Sequence, residues 1–519
     1  VLDKKSIPTD AACRLGVQDF RYCEWRGNKK RDSCLAIDFQ WEEMMRLALC
    51  LGFIATLAAC TADPIVYAPS DKIGDPASGS VTPLKKILVQ SNAPLRLVFV
   101  HGVGDHCYGY ALNGKTGWLN DDVAAHIGMK PTGAFSSPHT INVSVFMGGP
   151  PDKRSVMQYG TRSFELKLDG VDKPMPVQAI EITWSPLTQW LKTNQLAYDS
   201  PSVFADPALM AAGCVAPPDY NQIPPIKYPP DRLWLNRTIK EQVFDRALAD
   251  AIIYEGSYGA TIERGVADAL CHAVTGQPDD VKCVWPSVQA AADVNQYVFV
   301  THSLGSRLVY DTFLNLTGYY TKAKENPFTR EEVANAKPFI SQMLVNTPAI
   351  YMMANQLALL GLANVPKDAR SQDGSRPFLL SGVWFKAQDA GAAAAPGSST
   401  SPAALVNFTN ESSALADARH QAETLVGKPV PALKLIAFND TNDLLTWHIP
   451  SWYQSSGPLP AAGDARPEVE LVNVFVQNAA HWFIVESPAP AHSDYFVNQD
   501  VWKVMSCGAE HGALAACPY

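Results

Sequence analysis

Short apolar runs recur along the chain, each broken by a turn-forming cluster, and their spacing is that of strands alternating with helices. The runs at 95–100, 177–184, 297–301, 342–346, 433–438 and 469–476 are aliphatic and β-branched without strict alternation. That pattern suits strands buried on both faces of a parallel sheet. Directly after the third run the period changes. Leu308, Val309, Thr312 and Phe313 lie four apart in two overlapping rows, so the chain passes from strand to helix with only 301–305 between. A helix is also expected over 499–505, and an α/β class follows from the alternation.

Candidate chemistry sits at these boundaries. The turn T-H-S-L-G, 301–305, sets Ser303 among small residues, which leaves its hydroxyl above the sheet and the following amide pointed at the same space. The run at 95–100 ends in H-G-V-G-D-H, 101–106, a second glycine-rich turn able to offer a backbone donor. Acyl transfer puts negative charge on a carbonyl oxygen, and paired N–H groups stabilise it. The amides of Leu304 and Val103 are the candidates for that oxyanion hole.

A serine nucleophile needs a base, and the base needs a carboxylate to hold its tautomer. Asp440 and Asp443 stand in N-D-T-N-D-L-L after the run at 433–438, while His481 and His492 both follow the run at 469–476. His481 lies in the apolar N-A-A-H-W-F-I-V, a setting for a hydrogen-bonded core histidine; His101, His106 and His302 read as structural. No H-E-x-x-H or Cys-x-x-Cys occurs, so neither a metal nor another cofactor is expected.

The order strand, glycine loop, strand, serine turn, strand, acid, histidine over residues 95–505 resembles the α/β-hydrolase superfamily and is similar to its bacterial serine esterases and lipases. Thr301 stands where the family's G-x-S-x-G has its first glycine. The resemblance implies a mostly parallel central sheet flanked by helices, with large insertions as a cap. It implies a triad of Ser303, Asp443 and His492, an acyl-enzyme on Ser303, and a small-molecule ester or lipid substrate. Because the family's acid often sits a few residues beyond its strand and its histidine in a loop beyond the last one, Asp443 is preferred to Asp440 and His492 to His481. An acyltransferase or thioesterase with the same triad is the rival enzyme, and a non-catalytic surface lipoprotein on the same fold the rival from another class.

Residues 44–60 read as an export signal: Arg46, an apolar stretch too short to span a bilayer, then L-A-A-C ending at Cys60. Cys60 resembles the lipidated cysteine of bacterial lipoproteins, which implies a membrane anchor on that thiol and an envelope location, with Thr61 favouring the outer membrane. Residues 1–43 lack a periodic core pattern and are set aside as an upstream segment. Residues 61–94 are expected to form a linker and leading strands, and 95–519 one catalytic domain with insertions near 185–245 and 348–431. Tyr351, Met352, Met353, Leu357 and Leu360 in the second insertion suggest a lid or acyl-binding wall as well as plain core.

Of eleven cysteines, six lie beyond residue 60: Cys107, Cys214, Cys271, Cys283, Cys507 and Cys517. They allow three disulfides whose connectivity the sequence leaves open; Cys271 with Cys283 and Cys507 with Cys517 would close short loops. With 47% hydrophobic residues the chain can bury a large core. A net charge of −9 without a basic stretch argues against a nucleic-acid partner.

Overall fold

The computed structural model describes most of residues 80–196, 239–286, 295–361, 431–449, 469–486 and 488–510, with isolated positions between them. The segments 1–43 and 44–60, Cys60, and the stretches 217–230 and 390–404 lie outside the described residues.

Nine strands form one sheet: β1 Leu95–Val100, β2 Met129–Pro131, β3 His139–Asn142, β4 Val156–Leu166, β5 Met175–Thr183, β6 Gln296–His302, β7 Ala349–Met353, β8 Leu433–Asp440 and β9 Val469–Val476. Across the sheet the order is β9-β8-β7-β6-β1-β5-β4-β2, and β3 also pairs with β4. From β9 to β5 every pair is parallel. β4 runs antiparallel to β5, β2 and β3. The expected α/β class with a mostly parallel sheet is therefore present.

The helices that pack on this sheet or border its rim include α1 Leu84–Ser91, α2 Ser185–Leu196, α3 Ala249–Glu255, α4 Gly259–Thr275, α5 Leu304–Thr317, α6 Arg330–Val345, α7 Pro488–Ser493 and α8 Gln499–Cys507. Successive strand residues feed opposite layers. Val98 and Val100 pack with Val266 and Leu270 of α4, Leu308 and Phe313 of α5, and Phe339 and Ile340 of α6. Leu97 and Phe99 pack with Leu84 and Leu88 of α1 and Val501, Trp502 and Met505 of α8. Covering both faces is what the unbroken apolar runs required.

Several expectations need correction. The run at 342–346 is no strand. Met343, Leu344 and Val345 form the buried last turn of α6, which opens on a capping box made by Thr329 and Glu332. The strand begins after Pro348, at Ala349. A short apolar run has the same appearance in a buried helix and a buried strand, and here the helix end and the strand follow one another directly. Tyr351, Met352 and Met353 are consequently fully buried sheet residues, so no part of β7 is a lid. Residues 84–91 form a helix where leading strands were expected, because Leu84, Ile87 and Leu88 share one buried helical face. The region 185–245, expected as an insertion, opens with the regular helix α2. β2, β3 and β4 were not anticipated: they lie on the antiparallel flank, where polar residues such as Arg162 and Glu165 interrupt the apolar pattern.

Cys271 and Cys283 are joined, as the short-loop pairing anticipated. Cys214 and Cys517 lie outside the described residues. Among the described residues no helix is long and apolar enough to cross a membrane.

Strand register sets the position of the site. Val100 pairs with Thr301, His302 with Met353, and Met353 with Phe438, so β1, β6, β7 and β8 end almost level and their loops leave at one rim. From β1 the chain moves to β5 on one side and then to β6 on the other. The crevice between the ends of β1 and β6 is thus a topological switch point, where open parallel sheets place their ligands.

Candidate active site

Ser303 follows β6 immediately and precedes α5, with φ 51° and ψ −123°. A side chain bearing Cβ pays about 1–3 kcal/mol for such a conformation unless its surroundings enforce it. They do. The Ser303 amide donates to the Met353 carbonyl at 2.8 Å, and the Ser306 amide donates to the Ser303 carbonyl at 3.1 Å. A Cβ on Gly305 would lie 2.4 Å from the Val100 oxygen and 2.5 Å from the His101 oxygen, so only glycine lets the turn cross the end of β1. Thr301, where a G-x-S-x-G turn carries glycine, is bonded in place: its hydroxyl lies 2.8 Å from the Ser306 hydroxyl and donates to the Tyr351 carbonyl at 3.2 Å.

His492, near the end of α7, reaches Ser303 from the other side of the rim. Its Nε2 lies 3.2 Å from Ser303 Oγ, and its Nδ1 lies 2.9 Å from both carboxylate oxygens of Asp443. In this network Nδ1–H donates to the carboxylate and the Nε2 lone pair faces the serine hydroxyl. Asp443 also accepts from the Leu445 amide at 2.9 Å, from the Thr446 hydroxyl, and from the Tyr495 hydroxyl at 3.3 Å. Burial alone would push the Asp443 carboxyl up. Its hydrogen bond and attraction to His492, with the Thr446 and Leu445 bonds, outweigh burial and hold it below its usual range.

The alternative acid has partners of its own. The Asp440 carboxylate accepts the amides of Asn442 at 2.9 Å and Asn478 at 2.6 Å. Its own amide donates to the Tyr495 hydroxyl at 2.7 Å. It ties together the loops that carry Asp443 and His492. His481 lies on a two-residue strand pairing with Val485–Glu486, and its side chain lies outside the described set.

Leu304 is the first residue of α5, so its amide is among the N-terminal donors that no helical carbonyl satisfies. The 101–106 loop presses on the serine turn: a Cβ on Gly102 would lie 2.4 Å from Ser303 Cβ. Val103 follows directly, so Leu304 and Val103 both stand close to Ser303.

Three further histidines, His101, His106 and His302, pack around this arrangement. His302 Nε2 donates to the His492 carbonyl at 2.8 Å. Burial, followed by the charge of His492, pushes its pKa down to about 3, so it stays a neutral donor. His101 donates through Nδ1 to the Gly102 carbonyl at 2.8 Å and accepts the Trp184 amide at 3.0 Å on Nε2. His106 lies 3.3 Å from the Val103 carbonyl, and burial lowers its pKa to about 4. The roles of Thr446 and Tyr495 were missed in sequence; each follows its triad residue by three positions, the only signal available.

No group of three or more histidine, cysteine or acidic side chains among the described residues is placed to hold a metal ion. No family model, curated protein or solved structure matches this chain.

Proposed function

We propose that the chain is a serine hydrolase of the α/β-hydrolase type that cleaves carboxylic esters. The observation that carries this reading is the unbroken relay from Ser303 through His492 to Asp443, with the serine held at positive φ on a strand-to-helix turn. Supporting it, the strand order places the glycine loop and the serine on neighbouring parallel strands, with the acid loop two strands further on.

In this mechanism His492 Nε2 takes the Ser303 proton as Oγ attacks the ester carbonyl, and Asp443 stabilises the imidazolium. The amides of Leu304 and Val103 hold the oxyanion. The imidazolium then protonates the departing alcohol, and water, deprotonated by His492, releases the acid. We further propose export and a lipid anchor on Cys60, placing the enzyme in the cell envelope; the Cys271–Cys283 bond fits an oxidising compartment.

Labelling with a fluorophosphonate tests the nucleophile. Wild type should form an adduct on Ser303 and hydrolyse p-nitrophenyl esters, and Ser303→Ala should lose both, with a fall of at least about 10⁴-fold in rate. An unlabelled wild type would leave a binding protein on this fold. Transfer to added alcohols in preference to water would make it an acyltransferase.

A further inference from the structure

A buried cation lies behind the glycine loop. Lys192 of α2 is fully buried, with Nζ 3.0 Å from Asp105 of the loop and 2.9 Å from Asp250 of α3. Both carboxylates are buried as well. Asp250 in turn accepts the Gly104 amide at 2.7 Å. Ser185, which opens α2, donates to the Gly104 carbonyl at 2.9 Å and accepts the His106 amide at 3.0 Å.

Gly104, at φ 106°, is therefore held on both its amide and its carbonyl, while Gly102 is pressed on Ser303. Val103, whose amide is the second oxyanion donor in the proposed mechanism, lies between these two fixed points. Burying three charged groups is costly unless they satisfy one another, and a core of this size has no need of an ion cluster for packing. The cluster's attachments converge on one loop at the rim of the sheet.

We propose that Lys192 and Asp250 are positioning residues for the oxyanion hole: the ion pair fixes Gly104 and thereby aims the Val103 amide at the developing oxyanion. This rests on the hydrolase reading. Neither residue touches substrate. Their effect is on transition-state stabilisation, so it falls on kcat and leaves KM almost unchanged.

The experiment compares wild type, Asp250→Asn and Lys192→Arg on a matched ester and thionoester, whose C=S group gains far less from N–H donors. Removing an oxyanion donor outright costs about 10²–10³-fold, so misaiming one should lower kcat on the ester by about 10–10²-fold. KM should stay within about twofold, and the ester-to-thionoester ratio should fall by a similar factor to kcat. Lys192→Arg keeps the charge but moves the donors; it should show a smaller change in the same sense, and it stands in if Asp250→Asn fails to fold. An unchanged ratio in a folded variant, even with lower kcat, would make the cluster purely structural and overturn the proposal. A wild type neither labelled by fluorophosphonate nor active on esters would sink the hydrolase reading, and this inference with it.

Discussion

The residue before Ser303 is hydrogen-bonded to the backbone of His492: His302 Nε2 donates to the His492 carbonyl at 2.8 Å. Serine and imidazole come from positions far apart in sequence, and this bond ties their backbones together at the rim.

Removing that donor should loosen the approach of His492 to Ser303. In His302→Phe the ring can still fill the space beside Trp118 and Phe496, but the His492 carbonyl loses its partner. An unsatisfied buried carbonyl costs about 1–3 kcal/mol. Stability should fall by that order in denaturant titrations. The kcat should fall by about 10-fold or more with KM little changed, since misplacing a base acts on the chemical step. His302→Gln retains an N–H donor and should recover part of both. Equal kcat in all three proteins would remove His302 from any positioning role.

Asp443 and Asp440 lie three residues apart and should behave oppositely. Asp443→Asn keeps the shape beside His492 but favours the wrong imidazole tautomer, and an orienting carboxylate lost in this way costs about 10⁴-fold in kcat. Asp440→Asn leaves the relay intact and weakens the bonds to the Asn442 and Asn478 amides. Its effect should be on stability, about 1–3 kcal/mol, with kcat reduced far less. Melting temperature and kcat measured on both variants separate the roles. A larger kcat loss from Asp440→Asn than from Asp443→Asn would reverse the assignment.

How far the sequence could be read depended on the kind of signal. Ser303, the 101–106 loop and the strands buried on both faces were legible, because a parallel sheet demands unbroken apolar runs and a tight turn demands small residues. The choice of Asp443 over Asp440 came only from resemblance; both follow β8 in one short loop, and side-chain direction is what distinguishes them. β7 was misplaced because Met343–Val345 and Ala349–Met353 are both short apolar runs, one closing a helix and one forming a strand. The Lys192 cluster left no trace at all. Asp105, Lys192 and Asp250 are scattered charges in sequence, and only the fold buries them together.

His106, the last residue of the 101–106 loop, gives a pH signature. Burial holds His106 neutral, with a pKa of about 4 against about 6.5 in the unfolded chain. Between those values the unfolded state binds a proton that the folded state does not. Its contribution to stability is full above about pH 6.5 and is lost as pH falls toward 4, at about 1.4 kcal/mol per pH unit. His106→Phe keeps an aromatic ring against His101 and Tyr110 and removes the titration. The difference in unfolding free energy between variant and wild type should therefore shift steadily in the variant's favour from pH 6.5 to 4.5. A constant difference across that range would mean that His106 titrates alike in both states.

Thr301 offers the last test, because it departs from the glycine that the serine turn usually carries. Glycine serves there when a neighbouring backbone leaves no room for Cβ, and at 301 there is room: the hydroxyl bridges toward Ser306 on the far side of the turn and bonds the Tyr351 carbonyl on β7. Thr301→Gly, which would complete a G-x-S-x-G turn, removes those bonds. It also places the most flexible residue in a central strand, at a cost of about 0.5–1 kcal/mol for the backbone and about 1 kcal/mol for each hydrogen bond lost. The expected outcome is a protein less stable by about 2–3 kcal/mol, with kcat within a few-fold of wild type, because Ser303 is still fixed through its amide on Met353 and by Gly305 against β1. Unchanged stability with raised kcat would mean instead that threonine restrains the turn, and that the strain at Ser303 is set from the strand side.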